Sequence, residues 1–372
     1  MLYIVGVAIS FFLSLILFGK KGRSAADLIL AVWLAVSGLH LGCYYLLLSG
    51  MYKEYPCFLG LELPMPLLHG PFLYLYTSKV TGNTDRKYDW LHFIPYAGFL
   101  LVFSGFIFSS DDYKVNVYQQ GGTPYKAQLD LLMVSLIISG VSYALASLIA
   151  LHRHRQAIKD CYSNTDQVNL RWLTGLIAGM SVIWISVIAG TDQVTFGIVT
   201  FFIFYIGYFG IKQVGIFTNN SSDTPEPALL QPVPVSEQDP ETSVKYARSG
   251  LSPAEIQRIH QQLKAVVAGE KPFKDAELTI AKLADRLNVH PNVLSQVINS
   301  CENQNFFDYI NTLRVNEFIM CAGQPDSRKY TLLALALECG FNSKSSFNRN
   351  FKKVTGQAPT DFLRGDLLRA SD

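Results

Sequence analysis

Apolar positions run almost unbroken up to about residue 215 and then give way to short amphipathic repeats. A bilayer core about 30 Å thick takes about 20 apolar residues per helix. Seven stretches approach that length: 2–18, 26–48, 56–78, 90–109, 129–151, 172–189 and 195–211. They predict a seven-helix transmembrane bundle over residues 1–216. The first stretch is short, but it lacks a basic leader and a small-residue cleavage site, and further spans follow, so it reads as a retained helix.

The pattern changes at Ser252-Pro253-Ala254-Glu255, which has the form of a capping box with proline at the first helical position. Ile256, Ile259, Leu263 and Val266 then recur at helical spacing, and Gly269 is the predicted stop. Ile280, Leu283, Ala284 and Leu287 predict a short helix. Asn288-Val289-His290 reads as a tight turn, and Pro291 opens a second helix. In that helix Leu294, Val297 and Ile298 face inward, while Asn292, Ser295, Gln296 and Asn299 form the opposite stripe. This is a helix-turn-helix pattern over about 279–299, in which the second helix is the one that fits a DNA major groove.

The pattern repeats over about 331–354. Residues 331–339 predict a first helix, Gly340-Phe341-Asn342 a turn, and Ser343 the cap of a second helix. There Phe347 and Phe351 face inward, and Lys344, Ser345, Asn348, Arg349 and Lys352 face outward. The units align with an offset of 52 through the turn (Ala284 with Ala336, Asn288 with Gly340) and 53 in the second helices (Leu294 with Phe347, Ile298 with Phe351). An apolar helix around Phe306, Phe307, Ile310 and Leu313 joins them. The fold class is therefore all-α, a membrane bundle followed by an all-helical double helix-turn-helix domain over 251–372.

Between the two lies a segment, 217–250, of different composition. Up to Val244 it holds five prolines, five acids and no lysine or arginine. Such a segment cannot bury a core and reads as a spacer, with its ends about 30 Å apart as a coil. Overall charge is uninformative at +2, but its distribution is not. Lys20, Lys21 and Arg23, then Lys79, Arg86 and Lys87, then Arg153, Arg155, Lys159 and Arg171 fall in alternate loops. The intervening loops are poorer in basic residues. Basic loops stay in the cytoplasm, so the N-terminus is expected outside and the C-terminal domain inside, in a cytoplasmic-membrane protein.

Ionisable groups at membrane depth are costly and mark candidate sites. His40, Glu62, His69, His92 and Asp192 lie in or beside the spans. Glu62 and His69 are the candidate signal or ligand pocket, although Pro64, Pro66 and Pro71 interrupt the helix that would align them. Tyr44, Tyr45, Tyr52, Tyr74 and Tyr76 fit an interfacial aromatic belt. The six cysteines show no CxxC spacing, so neither a zinc site nor a disulfide framework is signalled, and Cys43 and Cys57 read as packing residues. No metal site and no cofactor are expected. No HExxH, GxSxG, P-loop or GxGxxG motif points to an enzyme. A transporter carrying a regulatory DNA-binding appendage is the alternative, weakened by the scarcity of ionisable residues in the spans. Spans that only anchor the module, or release it by linker cleavage, are a further reading.

The run Gly340-Phe-Asn-Ser-Lys-Ser-Ser-Phe-Asn-Arg-Asn-Phe-Lys-Lys-Val-Thr-Gly356, followed by Pro359 and Phe362, resembles the signature of the AraC/XylS family of bacterial transcription regulators. The resemblance covers 278–364; the family usually has threonine where Ala358 stands. It implies two helix-turn-helix units that read double-stranded DNA. The family's base-reading positions fall on Asn292, Ser295 and Gln296 in the first unit, which is poor in basic residues. In the second they fall on Lys344, Ser345, Asn348 and Arg349. Asn and Gln suit adenine, and Arg suits guanine. Ser343, Lys352 and Lys353 suit phosphates. The apolar half is similar to multi-span sensors fused to this module, through the number of spans and His69-Gly-Pro-Phe-Leu-Tyr-Leu-Tyr76. The expected function is a membrane-bound transcription regulator. Its partners would be double-stranded DNA, the lipid bilayer, an unidentified signal ligand or membrane partner, and a second copy of the chain as a homodimer.

Overall fold

A computed structural model describes residues 2–82, 87–165, 170–212, 251–324, 327 and 329–363. The predicted linker at 217–250 lies outside the described residues. The described chain is helical and divides into two units. The first comprises Met1–His154 and Leu170–Gln231; the second comprises Arg155–Asn169 and Pro232–Asp372.

The first unit holds α1 (Leu2–Gly19), α2 (Ala25–Ser49), α3 (Pro66–Val80), α4 (Ile94–Val102), α5 (Ser104–Ile107), α6 (Asp111–Gln119), most of α7 (Lys126–Cys161), α8 (Arg171–Ala189) and α9 (Asp192–Lys212). Ser24 and Asp27 form a capping box at the start of α2, and Lys20 pairs with Asp27 at 3.0 Å. α1 and α2 then pack closely because their contact faces are small. A Cβ on Gly38 would meet Phe11 at 3.1 Å, and one on Gly6 would meet Leu41 at 2.7 Å. Ser10 and Ser14 donate across that contact to the carbonyls of Leu34 and Ala31 at 2.6 and 2.8 Å. Small residues and interhelical hydrogen bonds are how helices associate where apolar burial cannot drive them together. The outer faces are apolar and open: Phe12, Leu15, Ile138, Val141 and Leu145 are all more than half exposed.

Among the described residues, five helices are long and apolar enough to cross a membrane: Leu2–Gly19, Ala25–Ser49, the α7 stretch, Arg171–Ala189 and the Asp192–Phe209 part of α9. The other two expected spans do not form as single helices. In 56–78, Pro64 and Pro66 and the left-handed Gly60 (φ 95°) delay the helix until Pro66. α3 is left with 15 residues, about 22 Å, which is shorter than the bilayer core. The stretch 90–109 breaks into a 3₁₀ turn at Asp89–Phe93, α4 and the single turn of α5. The prolines signal the first break in the sequence, whereas the apolar composition around Phe103 does not signal the second. α7 departs the other way. It has 36 residues, about 54 Å, and so runs some 24 Å beyond the length needed to cross.

The second unit contains α10 (Pro253–Glu270), α11 (Ile280–Leu287), α12 (Pro291–Glu302), α13 (Phe306–Ala322), α14 (Leu332–Glu338) and α15 (Lys344–Thr355). The Ser252–Glu255 capping box forms as expected. Gly269 does not end α10; the helix runs to Glu270 and is closed by Lys271 in the left-handed conformation (φ 48°). Two small cores sit side by side. Leu263, Leu283, Ala284, Leu294 and Ile298 build one, and Leu335, Ala336, Phe341, Phe347 and Phe351 build the other. α13 serves both: Phe306, Tyr309 and Ile310 enter the first, and Val315 and Phe318 the second.

α13 also carries a polar seam. Asn311, Arg314 and Glu317 are three apart and at most 4% exposed. Glu317 accepts from Lys271 and Lys274, each at 2.9 Å, which ties the loop before α11 to α13. Burial raises the Glu317 pKa, but the two lysine hydrogen bonds outweigh it, and the carboxyl titrates below its usual value. A folded-state pKa below the unfolded one stabilises the fold above the unfolded pKa, and that stabilisation is lost as pH falls through the folded value. Stability of the wild-type chain is therefore expected to drop more steeply below about pH 4.5 than that of Glu317→Gln, as read by denaturant titration across pH. Parallel curves would remove Glu317 from the account.

Candidate nucleic-acid interface

The two helix-turn-helix units repeat each other bond for bond through their turns. Thr279 caps α11, accepting from Lys282 N–H at 3.2 Å, and Thr331 caps α14, accepting from Ala334 N–H at 3.1 Å. Each first helix ends on a left-handed residue, Asn288 (φ 52°) or Gly340 (φ 96°). The next N–H turns back to the helix: Val289 to the carbonyl of Ala284 and Phe341 to that of Ala336, both at 3.1 Å. The second helices then open on His290, whose Nδ1 accepts from Asn292 N–H at 3.2 Å, and on Ser343, whose Oγ accepts from Ser346 N–H at 3.1 Å.

The turns also differ at their left-handed residue. A Cβ at Gly340 would lie 2.3 Å from the Phe273 carbonyl oxygen and 2.9 Å from Lys274 Cα, both backbone. Asn288 has a side chain already, so its turn has no such neighbour. Gly340→Ala combines an unfavourable φ with a backbone clash and is expected to destabilise the unit by about 2–4 kcal/mol. Asn288→Gly should change stability by less than about 1 kcal/mol. Chemical denaturation of the two variants checks the contrast, and equal losses would sink it.

Leu294, Val297, Ile298, Phe347 and Phe351 are buried, as the pattern requires. Asn292, Lys344, Ser345, Asn348 and Arg349 are exposed, and Ser295, Gln296 and Asn299 are half-buried. The second helix presents the cations: α15 contributes Lys344, Arg349, Lys352 and Lys353, whereas α12 has no lysine or arginine. Two of the phosphate candidates are engaged within the chain. Ser343 Oγ is committed to capping α15. Lys353 Nζ lies 2.7 Å from Asp308 Oδ1 on α13. An exposed pair of this kind is worth about 0–1 kcal/mol, so it can be exchanged for a phosphate.

In the first unit of the chain the two pocket candidates have different partners. His69 Nδ1 accepts from the Trp33 indole N–H at 3.1 Å, and its Nε2 lies 3.1 Å from His40 Nδ1. Indole only donates, so the neutral chain of donors runs Trp33 to His69 to His40. Glu62 accepts from Gly60 N–H at 2.8 Å and lines a small cavity with Cys43, Leu47, Tyr52 and Tyr55. His40 and Trp33, as partners of His69, carry no spacing signal because they lie on another helix. The sequence pattern likewise singles out neither Arg314 nor Ser163. A lone arginine in the apolar 306–322 stretch was a usable sign of the first; nothing marks the second.

A family model described as a helix-turn-helix domain matches residues 283–365, from within α11 to just past α15. No curated protein and no solved structure matches the chain.

Proposed function

We infer that this chain, whose residues 283–365 are an AraC-type helix-turn-helix domain, is a membrane-embedded, sequence-specific transcription regulator. The observation that carries the reading is the joining, in one chain, of that duplicated module to five apolar helices with open apolar faces. The module supports DNA binding and regulation. The membrane-sensing role is our extension of it.

Sidedness rests on the loop charges; on the five-helix count Lys79, Arg86 and Lys87 fall in an outside loop, and the basic groups after α1 and at the end of α7 carry the assignment. Seven crossings or five are both odd, and removing α3 and the α4–α5 region together leaves every other helix pointing the same way. The tail of α7, with Arg153, Arg155 and Lys159, lies in the cytoplasm on either count, and so does the C-terminal module.

In this reading α15 supplies most of the affinity. Arg349 pairs with guanine, Asn348 with adenine, and Lys344 and Ser345 read neighbouring bases. Asn292, Ser295 and Gln296 read the first half-site. Ser343 through its helix N-terminus, together with Lys352 and Lys353, holds phosphates and sets position. The half-buried groups Glu62 and His69 are the proposed signal site, with His40 as partner of the second. Variants Glu62→Gln and His69→Phe should keep duplex affinity and lose condition-dependent occupancy of the bound sites in cells; an unaltered occupancy response would remove the assignment.

Selection of random duplexes by the full chain in lipid nanodiscs tests the whole reading. The enriched site should hold two half-sites about one helical turn, roughly 34 Å, apart. Enrichment of no motif would contradict it.

A further inference from the structure

The second unit is not made of C-terminal sequence alone. Its core accepts the end of α7 and the residues after it. Cys161 packs on the first helix-turn-helix core. Tyr162 forms an antiparallel bridge with Thr279, the residue that caps α11. Ser163 is 1% exposed. Its N–H and Oγ both donate to the Leu278 carbonyl, at 3.2 and 2.6 Å. Its own carbonyl accepts from Asn311 Nδ2 at 3.0 Å and from Arg314 Nη1 at 3.4 Å, and its Oγ accepts from Arg314 Nη2 at 3.0 Å.

Arg314 is the junction of the unit. It also donates to the carbonyls of Phe273 (2.7 Å) and Asp275 (2.8 Å), in the loop leading into α11. Its Nε lies beside Gly340, in the turn of the other helix-turn-helix. One guanidinium therefore touches the approach to the first unit, the turn of the second, and Ser163. Ser163 bonds to Leu278, Asn311 and Arg314, none of which lies on a recognition helix, so the segment holds the module without using its reading residues.

We propose that Cys161–Thr165 is a docking tether through which movement of α7 resets the two recognition helices relative to each other. This rests on the regulatory reading above and names its route. A helix passes a displacement along its length, because its backbone is bonded at every turn. α7 is continuous to Cys161, and the residues that follow it are bonded at the junction that both half-domains share.

Two measurements on the full chain in membranes test the proposal. In a Cys161→Ser background, Tyr162→Cys and Thr279→Cys replace a bridge pair. Opposed residues in such a pair have Cα atoms about 4.5–5.5 Å apart, within disulfide range. Mild oxidation should crosslink most of the chains. No crosslink, with both thiols open to maleimide, would overturn the docking. Separately, two glycines inserted between His154 and Arg155 uncouple α7 while leaving every contact of the second unit in place. The probe is the duplex selected by the wild-type chain, used whole and as a single half-site. The insertion should alter affinity for the whole site at least fivefold and for the half-site by less than twofold. No change in either, or equal loss in both, would overturn the transmission. If the wild-type chain selects no duplex, the regulatory reading itself fails, and transmission to recognition helices fails with it; the crosslink still decides the docking.

Discussion

Replacing Arg314 with methionine is expected to unfold the DNA-binding unit under conditions where the wild-type chain is stable. The side chain is 1% exposed and satisfies the carbonyls of Phe273, Asp275 and Ser163 as well as the Ser163 hydroxyl. Burial lowers its pKa to about 10, still far enough above neutrality to keep it a cation. Methionine fills similar space but takes the side-chain donor away from the Phe273 and Asp275 carbonyls and leaves the Ser163 carbonyl with Asn311 alone. Removing one side of a buried charged network costs about 3–5 kcal/mol, against a total of about 5–15 kcal/mol for an ordinary domain. For a unit of about 150 residues the midpoint should fall by roughly 6–20 °C. Lysine should recover only part of the loss, since one ammonium cannot span the same fork of acceptors. Calorimetry of the purified chain reads this directly. A midpoint within a few degrees of wild type in Arg314→Met would show that the junction is not what holds the half-domains together.

The second large effect is on DNA. Arg349→Ala is expected to weaken binding to the selected duplex by about 1–3 kcal/mol, a factor of roughly 5–150, and to relax preference at one base pair. Lys352→Ala should behave differently. It should weaken all duplexes alike and make the salt dependence shallower by about one unit of slope, because a phosphate contact carries no sequence information. Binding curves at several salt concentrations, on the selected duplex and on single-base variants, separate the two. An Arg349→Ala chain with intact base preference would displace that residue from its reading role.

The parts of this molecule that were legible in sequence are those decided by neighbours along the chain. The Ser252–Glu255 box, the Ser343 cap and the turns at Asn288 and Gly340 follow from local hydrogen bonding and sterics, and the inward Leu294, Ile298, Phe347 and Phe351 follow from helical period. The first and last of the long apolar helices were legible for the same reason. Pro64 and Pro66 marked the break in 56–78, whereas 90–109 was not legible, because apolar composition looks alike in a straight helix and in one broken at Phe103. α6 was invisible because Asp111–Gln119 is short and mostly polar. The site followed the same rule. The outward stripes of α12 and α15 were readable, while the Lys353–Asp308 pair, the His40–His69–Trp33 chain and the seat of Ser163 depend on residues 29 to 151 positions apart.

Duplex capture by membrane vesicles of known sidedness tests the central claim most directly. Inside-out vesicles carrying the full chain should retain the selected labelled duplex, release it as salt rises, and ignore a scrambled duplex. Sealed right-side-out vesicles should retain none. Retention by right-side-out vesicles alone, or equal retention of the scrambled duplex by inside-out ones, would contradict the reading of this chain as a membrane-embedded regulator with its sequence-reading domain in the cytoplasm.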